Sequence, residues 1–442
     1  MLKEKTATML SLKIPQICHS LVAALAFSLS LACTEANGAK SDPVIAGEVL
    51  VKLRTASDLG ALLTRYGLSE INRFGQRPIF RLRLPASANM TDVLAALQLD
   101  ASVLIAEPNV IHGTPEGRKN AVWAIGNAQV FAQQWAPAAL RLSQAHLYST
   151  GSGVTVAVLD TGVDRAHPLL ASRLLPGYDF VDGDNDPSEE GSRNDAGYGH
   201  GTHVAGLIAM VAPGARIMPL RVLEPSGQGN TWVLAEALLY AVDPDGNPAT
   251  DDGAHVINLS LGTTTRTRIL DAVTQLVTCT AVTDDPAFDL SDAGYATDAD
   301  RCSHRAGVVI AAAAGNDSTD AVRQYPAAER VHGLLAVAGS DASAHLAPFS
   351  NFGSWIGIAA PGAAITSSIP GGGYATWEGT SMAAPLVAGT AALLLARDPN
   401  QRPDDLIKRI QNRSALLCGT SLREVDAAAA VQDRSAPATV CH

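Results

Sequence analysis

Three short segments carry the residue types that acyl transfer requires. Asp160-Thr161-Gly162 follows an apolar run and reads as a strand end. Gly199-His200-Gly201-Thr202-His203 opens one helical stretch, and Gly379-Thr380-Ser381-Met382-Ala383-Ala384-Pro385 opens another. A hydroxyl nucleophile needs a base to take its proton, and the base needs a partner that fixes its tautomer. Ser381, His200 and Asp160 supply these three types, in the chain order Asp, His, Ser. At a helix N-terminus, Ser381 would lie where backbone N–H groups and the helix dipole favour a developing negative charge. Each segment alone has a plainer reading: a turn, a metal pair, a helix cap. A zinc hydrolase of the His-Glu-x-x-His type needs Glu beside its first His, and this chain has Gly201 there. His203 therefore reads as a structural residue held by a backbone partner.

These residues need a scaffold that brings strand ends together. From Val154 onward, short buried strands alternate with helical stretches: Val154–Asp160, Thr202–Val211, Arg216–Val222, Thr231–Val242, His255–Leu261 and Val308–Gly315. Apolar strands between helices predict an α/β fold, with a doubly wound, mostly parallel sheet covered on both faces. Sites in such sheets lie at the carboxyl ends of strands, where the marked residues fall. Residues 43–112 read differently. Glu48–Leu53, a weaker strand near Ile71–Phe74, Ile79–Leu84 and Val103–Glu107 are strand patterns, and Ser57–Tyr66 and Thr91–Leu99 are helical. The order β-α-β-β-α-β predicts a small ferredoxin-like α+β domain, followed by a polar linker, Gly113–Asn120.

The three segments, in this order, resemble those of the subtilisin-like serine proteases, and the resemblance runs from about Trp123 to Leu395. It implies a subtilisin-like fold and a serine endopeptidase working through an acyl-enzyme, with no cofactor for catalysis. Ser381 would be the nucleophile, His200 the base and Asp160 its orienting partner. Val256–Gly262 resembles the substrate-binding strand, so Ser260, Leu261 and Gly262 would pair with substrate. Ala311–Gly315 followed by Asn316 resembles the segment whose Asn completes the oxyanion hole. Gln324, just before Tyr325-Pro326, stands where a small residue often floors the pocket for the side chain preceding the cleaved bond. Residues 43–112, with Gly47–Val51 and Ala106–Asn109, resemble the family's propeptide, an intramolecular inhibitor and folding chaperone removed by the enzyme itself.

Acidic loops raise a metal question. Asp179, Asp182, Asp184 and Asp186 offer the hard oxygen ligands that calcium takes, and Tyr178–Asp186 resembles a calcium loop of thermitase-like members. A solvated acidic loop is the alternative. Asp243, Asp245, Asn247 and Asp251 form a second, weaker set. After His167-Pro168, where the family commonly has a calcium-binding Asp, this chain has Leu169, so that site is lost.

The remaining features concern compartment and partners. Three lysines precede the apolar stretch Leu21–Ala32, the pattern of an export signal over residues 1–33. Cys33 is where a bacterial lipid anchor would attach, although Ser30 departs from that pattern. Cys279, Cys302, Cys418 and Cys441 fall into two local pairs, and local pairing closes the smallest loops. In an exported chain both pairs should be oxidised. The chain of 442 residues carries a net charge of −11 without a basic stripe, which argues against nucleic acid as a partner. No uninterrupted apolar run reaches the roughly 18–20 residues of a membrane span. The expected layout is a signal peptide at 1–33, a propeptide at 43–115, a peptidase domain at 118–415 and a disulfide-closed tail at 416–442. The expected partners are protein or peptide substrates and the chain's own propeptide, in a monomer. Two alternatives are a catalytically silent scaffold on the same fold and a maturation protease of narrow specificity.

Overall fold

The computed structural model describes residues 42–118, 124–280, 293–439 and Cys441. The proposed signal peptide and Cys33 lie outside these residues. The first part is the expected α+β unit: β1 (Val44–Leu53), α1 (Leu59–Tyr66), β2 (Ser69–Arg73), β3 (Ile79–Arg83), α2 (Met90–Leu99) and β4 (Val103–Gly113). Gly67 ends α1 in the left-handed conformation, and Asn89 caps α2 by accepting from the Thr91 and Asp92 amides. The strands order as β2-β3-β1-β4 and are antiparallel where they pair. Val49, Val51, Phe80 and Leu82 fill the core on one face of this sheet, while Leu50 points to the other face and joins the core of the larger unit.

The second part is built on a sheet whose central strands are all parallel. Their order is Ile358–Pro361, Leu334–Ser340, Val309–Ala313, Val256–Leu259, Thr155–Asp160 and Arg216–Arg221. Every residue of the strands Val256–Leu259 and Val309–Ala313 is buried, as expected of strands covered on both faces. The helices His200–Val211 and Thr380–Leu395 pack on one face with Leu207, Ile208, Val387 and Leu393 fully buried. Thr231–Val242 and Arg268–Val277 cover the other. No helix among the described residues is long and apolar enough to cross a membrane. Both expected disulfides, Cys279–Cys302 and Cys418–Cys441, are formed.

One departure from expectation matters for the site. β4 does not stop at Glu107 but continues to Gly113, and its last residues leave the small sheet. Ile111, His112 and Gly113 pair antiparallel with Gln228–Asn230 of the second part. Gly113 also exchanges both backbone hydrogen bonds with Gly262, each 2.9 Å long. The segment read as a linker therefore begins as a strand bound between two edges of the larger unit.

Candidate active site

The ends of adjacent elements bring the marked residues together. Asp160 is the last residue of its strand, and its Oδ1 accepts from the Thr161 amide at 2.8 Å and from His200 Nδ1 at 2.7 Å. Gly201 permits this approach: a side chain there would reach within 2.1 Å of the Gly162 carbonyl and 3.0 Å of the Asp160 side chain. Glu189, which no sequence pattern singled out, ties the two segments together. Its carboxylate accepts from Thr161 Oγ1 (2.6 Å), the Gly199 amide (3.0 Å) and Thr202 Oγ1 (2.8 Å). Burial, opposed by the Thr161 and Thr202 hydrogen bonds, raises the Glu189 carboxyl to about 7. His203 stacks on Trp377 with ring centroids 4.4 Å apart, and its Nε2 meets the Ala375 carbonyl. Burial, reinforced by the His200 charge, lowers it to about 3, so it stays neutral.

Ser381 lies in the first turn of its helix. Pro385 lacks the N–H that would reach back four residues, so the Ser381 carbonyl accepts from Ser260 Oγ at 2.9 Å instead. That bond ties Ser260, just past the strand Val256–Leu259, to the start of the helix. The Asn316 amide is oriented from one end: its Oδ1 accepts from the Thr380 amide (2.9 Å) and from Thr380 Oγ1 (3.0 Å), which aims Nδ2 at the space beside Ser381. Gln324 is 2% exposed. A side chain built on Gly262 would meet its Cγ at 2.7 Å, and one on Gly315 its Oε1 at 3.4 Å. Its amide therefore lies between the glycines that flank the cleft rather than in solvent.

The space between these groups holds Glu116, on the turn Pro115–Arg118 that follows β4. Its Oε2 accepts from Ser381 Oγ at 2.7 Å, and its Oε1 from Asn316 Nδ2 at 2.8 Å. His200 Nε2 is 3.3 Å from Oε2, an ion-pair distance without hydrogen-bond alignment. Burial disfavours the charged ring, yet Asp160 and Glu116 outweigh it and push His200 up to about 10. Burial would likewise raise Glu116, but His200 and Ser381 hold it below the ordinary value.

The structure brings together two of the four residues of the acidic set. Asp179 and Asp182 are brought together, with Glu190, around the guanidinium of Arg221, which lies 2.7 Å from Asp182 and 2.9 Å from Glu190. Asp184 Oδ1 accepts from the Asp186 amide, and Asp186 Oδ1 from Ser188 Oγ and Arg165. The guanidinium thus supplies a built-in counter-charge to these carboxylates. In the second set Asp251 turns to Arg305, while Asp243 and Asp245 gather with Asp252. Leu169 packs against the core.

Residues 151–436 match the model of the subtilase family. The chain belongs to the subtilase family. Residues 34–109 match a fervidolysin N-terminal prodomain, so this subtilase carries a prodomain and Glu116 lies between the two matched segments. It is 33% identical to a thermophilic serine proteinase of Bacillus sp. (strain AK1), over 80% of this chain and 79% of that protein. It is 34% identical to thermitase of Thermoactinomyces vulgaris, over 65% of this chain and 91% of that protein. Fervidolysin from Fervidobacterium pennivorans shares the fold, with a TM-score of 0.67 at 23% identity over 90% of this chain and 62% of that one. A protease of Pseudoalteromonas arctica aligns with a TM-score of 0.56 at 31% identity, over 70% of this chain and 99% of that one. The subtilase is thus a serine endopeptidase.

Proposed function

We propose that this subtilase is an exported, self-processing endopeptidase whose triad is Ser381, His200 and Asp160. The observation that carries the reading is the bound strand: Gly113 is paired on Gly262, and the residues after it run into the space bounded by Ser381, His200 and Asn316. In this reading a substrate takes the place of β4 as an added strand on Ser260, Leu261 and Gly262. Ser381 Oγ attacks the carbonyl carbon and its proton passes to His200 Nε2. Asn316 Nδ2 and the Ser381 N–H stabilise the oxyanion. Collapse breaks the C–N bond, and His200 gives its proton to the leaving amine. Water then repeats the sequence on the acyl-enzyme. Asp160 keeps His200 in the tautomer that leaves Nε2 free to accept. Gln324 and Gly315 shape the pocket for the side chain before the cleaved bond. Its amide fills volume there and favours small or hydrogen-bonding side chains over Phe.

Export is supported by the N-terminal pattern together with the two disulfides, which persist in oxidising compartments. A fluorophosphonate should label the processed chain at one site. Ser381→Ala should abolish labelling, turnover and removal of the prodomain together. Labelling that survives Ser381→Ala would end the assignment. Intact mass and N-terminal sequencing of the secreted form would report loss of the signal segment and the processing point.

A further inference from the structure

We propose that Glu116 is an oxyanion-site plug: its carboxylate occupies the place where a substrate's oxyanion would form and keeps the uncut chain latent. The inference rests on the triad reading above and concerns a side chain outside both the matched prodomain and the matched protease segment.

The register explains why a side chain arrives there. Hydrogen-bonded pairs alternate along an antiparallel ladder, so the pair after Gly113–Gly262 would set residue 115 opposite Ser260. That residue is Pro115, which has no N–H to give. The ladder ends, and the backbone coils into the turn Pro115–Arg118. The Ser260 carbonyl, left without that donor, lies 3.2 Å from Ser381 Oγ, whose single proton goes to the nearer Glu116 Oε2 at 2.7 Å. The coil swings the Glu116 side chain inward, where it is 9% exposed. Gly379 makes room for it: a side chain at 379 would lie 1.9 Å from Glu116 Oε1.

The plug disables three groups at once. Asn316 Nδ2 donates to Oε1, so the oxyanion donor is engaged. Ser381 Oγ donates to Oε2, so the hydroxyl proton points away from its base. His200 faces two carboxylates, which favour its charged form over the neutral base. A strand bound in the cleft excludes protein substrates but leaves Ser381 open to a small electrophile. The carboxylate closes that route as well.

Full-length wild-type, Glu116→Ala and Glu116→Gln chains, pulsed with a fluorescent fluorophosphonate, give the test. Uncut and processed bands are read from the same gel lane, the processed band marking an open site. The uncut wild-type band should label far more slowly than the processed band. Glu116→Ala should speed labelling of the uncut band by about ten- to a hundredfold, through the open fraction gained when charge-assisted hydrogen bonds are lost. Glu116→Gln, which keeps the shape but not the charge, should fall between. A misfolded chain would lose labelling, so a gain reports opening. Equal labelling of uncut wild type and uncut Glu116→Ala overturns the plug. Should the alanine chain not fold, a glutamine chain labelling at the wild-type rate overturns it equally. A processed band that never labels would remove the triad reading instead, and this inference with it.

Discussion

Arg221 and Asp160 end neighbouring strands and are paired in register, so the Arg221 cluster and the His200 cluster lie side by side. Each centres on a buried cation facing more than one carboxylate. Arg221 meets Asp179, Asp182 and Glu190, and His200 meets Asp160 and Glu116. The difference lies in what can leave. A guanidinium does not lose its proton in a protein, and Asp179, Asp182 and Glu190 all stand on one continuous stretch, residues 179–190, beside it. An imidazole can lose its proton, and Glu116 stands on a segment that self-processing would withdraw. The same arrangement of charges is a fixture in one place and a switch in the other.

The largest effect should come from the fixture. Arg221→Met leaves Asp179, 1% exposed, as a buried charge without its counterion. Breaking such a pair from one side costs about 3–5 kcal/mol. Urea unfolding of the full chain in a Ser381→Ala background, which prevents self-digestion, measures it. A loss under about 1 kcal/mol, the surface-pair range, would erase the distinction. Asn316→Leu is the mirror case, acting on chemistry and sparing the fold. Losing one oxyanion donor costs about 2.7–4 kcal/mol, or on the order of 10²–10³ in kcat, a magnitude taken over from subtilisin itself. A kcat within tenfold of wild type would remove Asn316 from the oxyanion site.

The switch should also show in pH dependence. A histidine raised from 6.5 to about 10 stabilises the folded state fully below 6.5, and this contribution is lost as pH rises through about 10. In the Ser381→Ala chain, Glu116→Gln removes one of the two facing carboxylates, so His200 should titrate at lower pH. Ring NMR shifts of His200 follow this directly, and coincident titrations would contradict it. The smallest expected effect is none. EDTA should change the melting temperature equally in the Ser381→Ala chain and in the same chain carrying Asp182→Asn, Asp184→Asn and Asp186→Asn. A chelator-sensitive stability lost with those substitutions would restore calcium to that loop.

The proposed triad residues were legible in the sequence because each sits in a local pattern of glycines and small residues that a strand end or helix start requires. The ferredoxin-like unit and both disulfides were legible from periodicity and spacing. Glu116 was not, because it stands in a polar stretch 265 residues from Ser381, and only the register of β4 on Gly262 aims it. The surroundings of the acidic loop were hidden for a related reason. Spacing counts acidic residues along one loop, but the cation that neutralises them comes from the adjacent strand. Glu189 was hidden in the same way, in a loop where one more carboxylate looks like solvated charge.

The continuity of β4 gives the prodomain's hold a direction. Its hydrogen bonds to β1, to Gln228–Asn230 and to Gly262 run across the strand, perpendicular to its axis. Tension applied along that axis loads all these bonds at once, as a shear. Tension that lifts the Gly113 end meets them one pair after another, as a zipper. The same contacts would therefore resist a pull on the folded prodomain strongly and yield readily to a pull from the linker. Release of the cleft becomes a matter of which end is tugged.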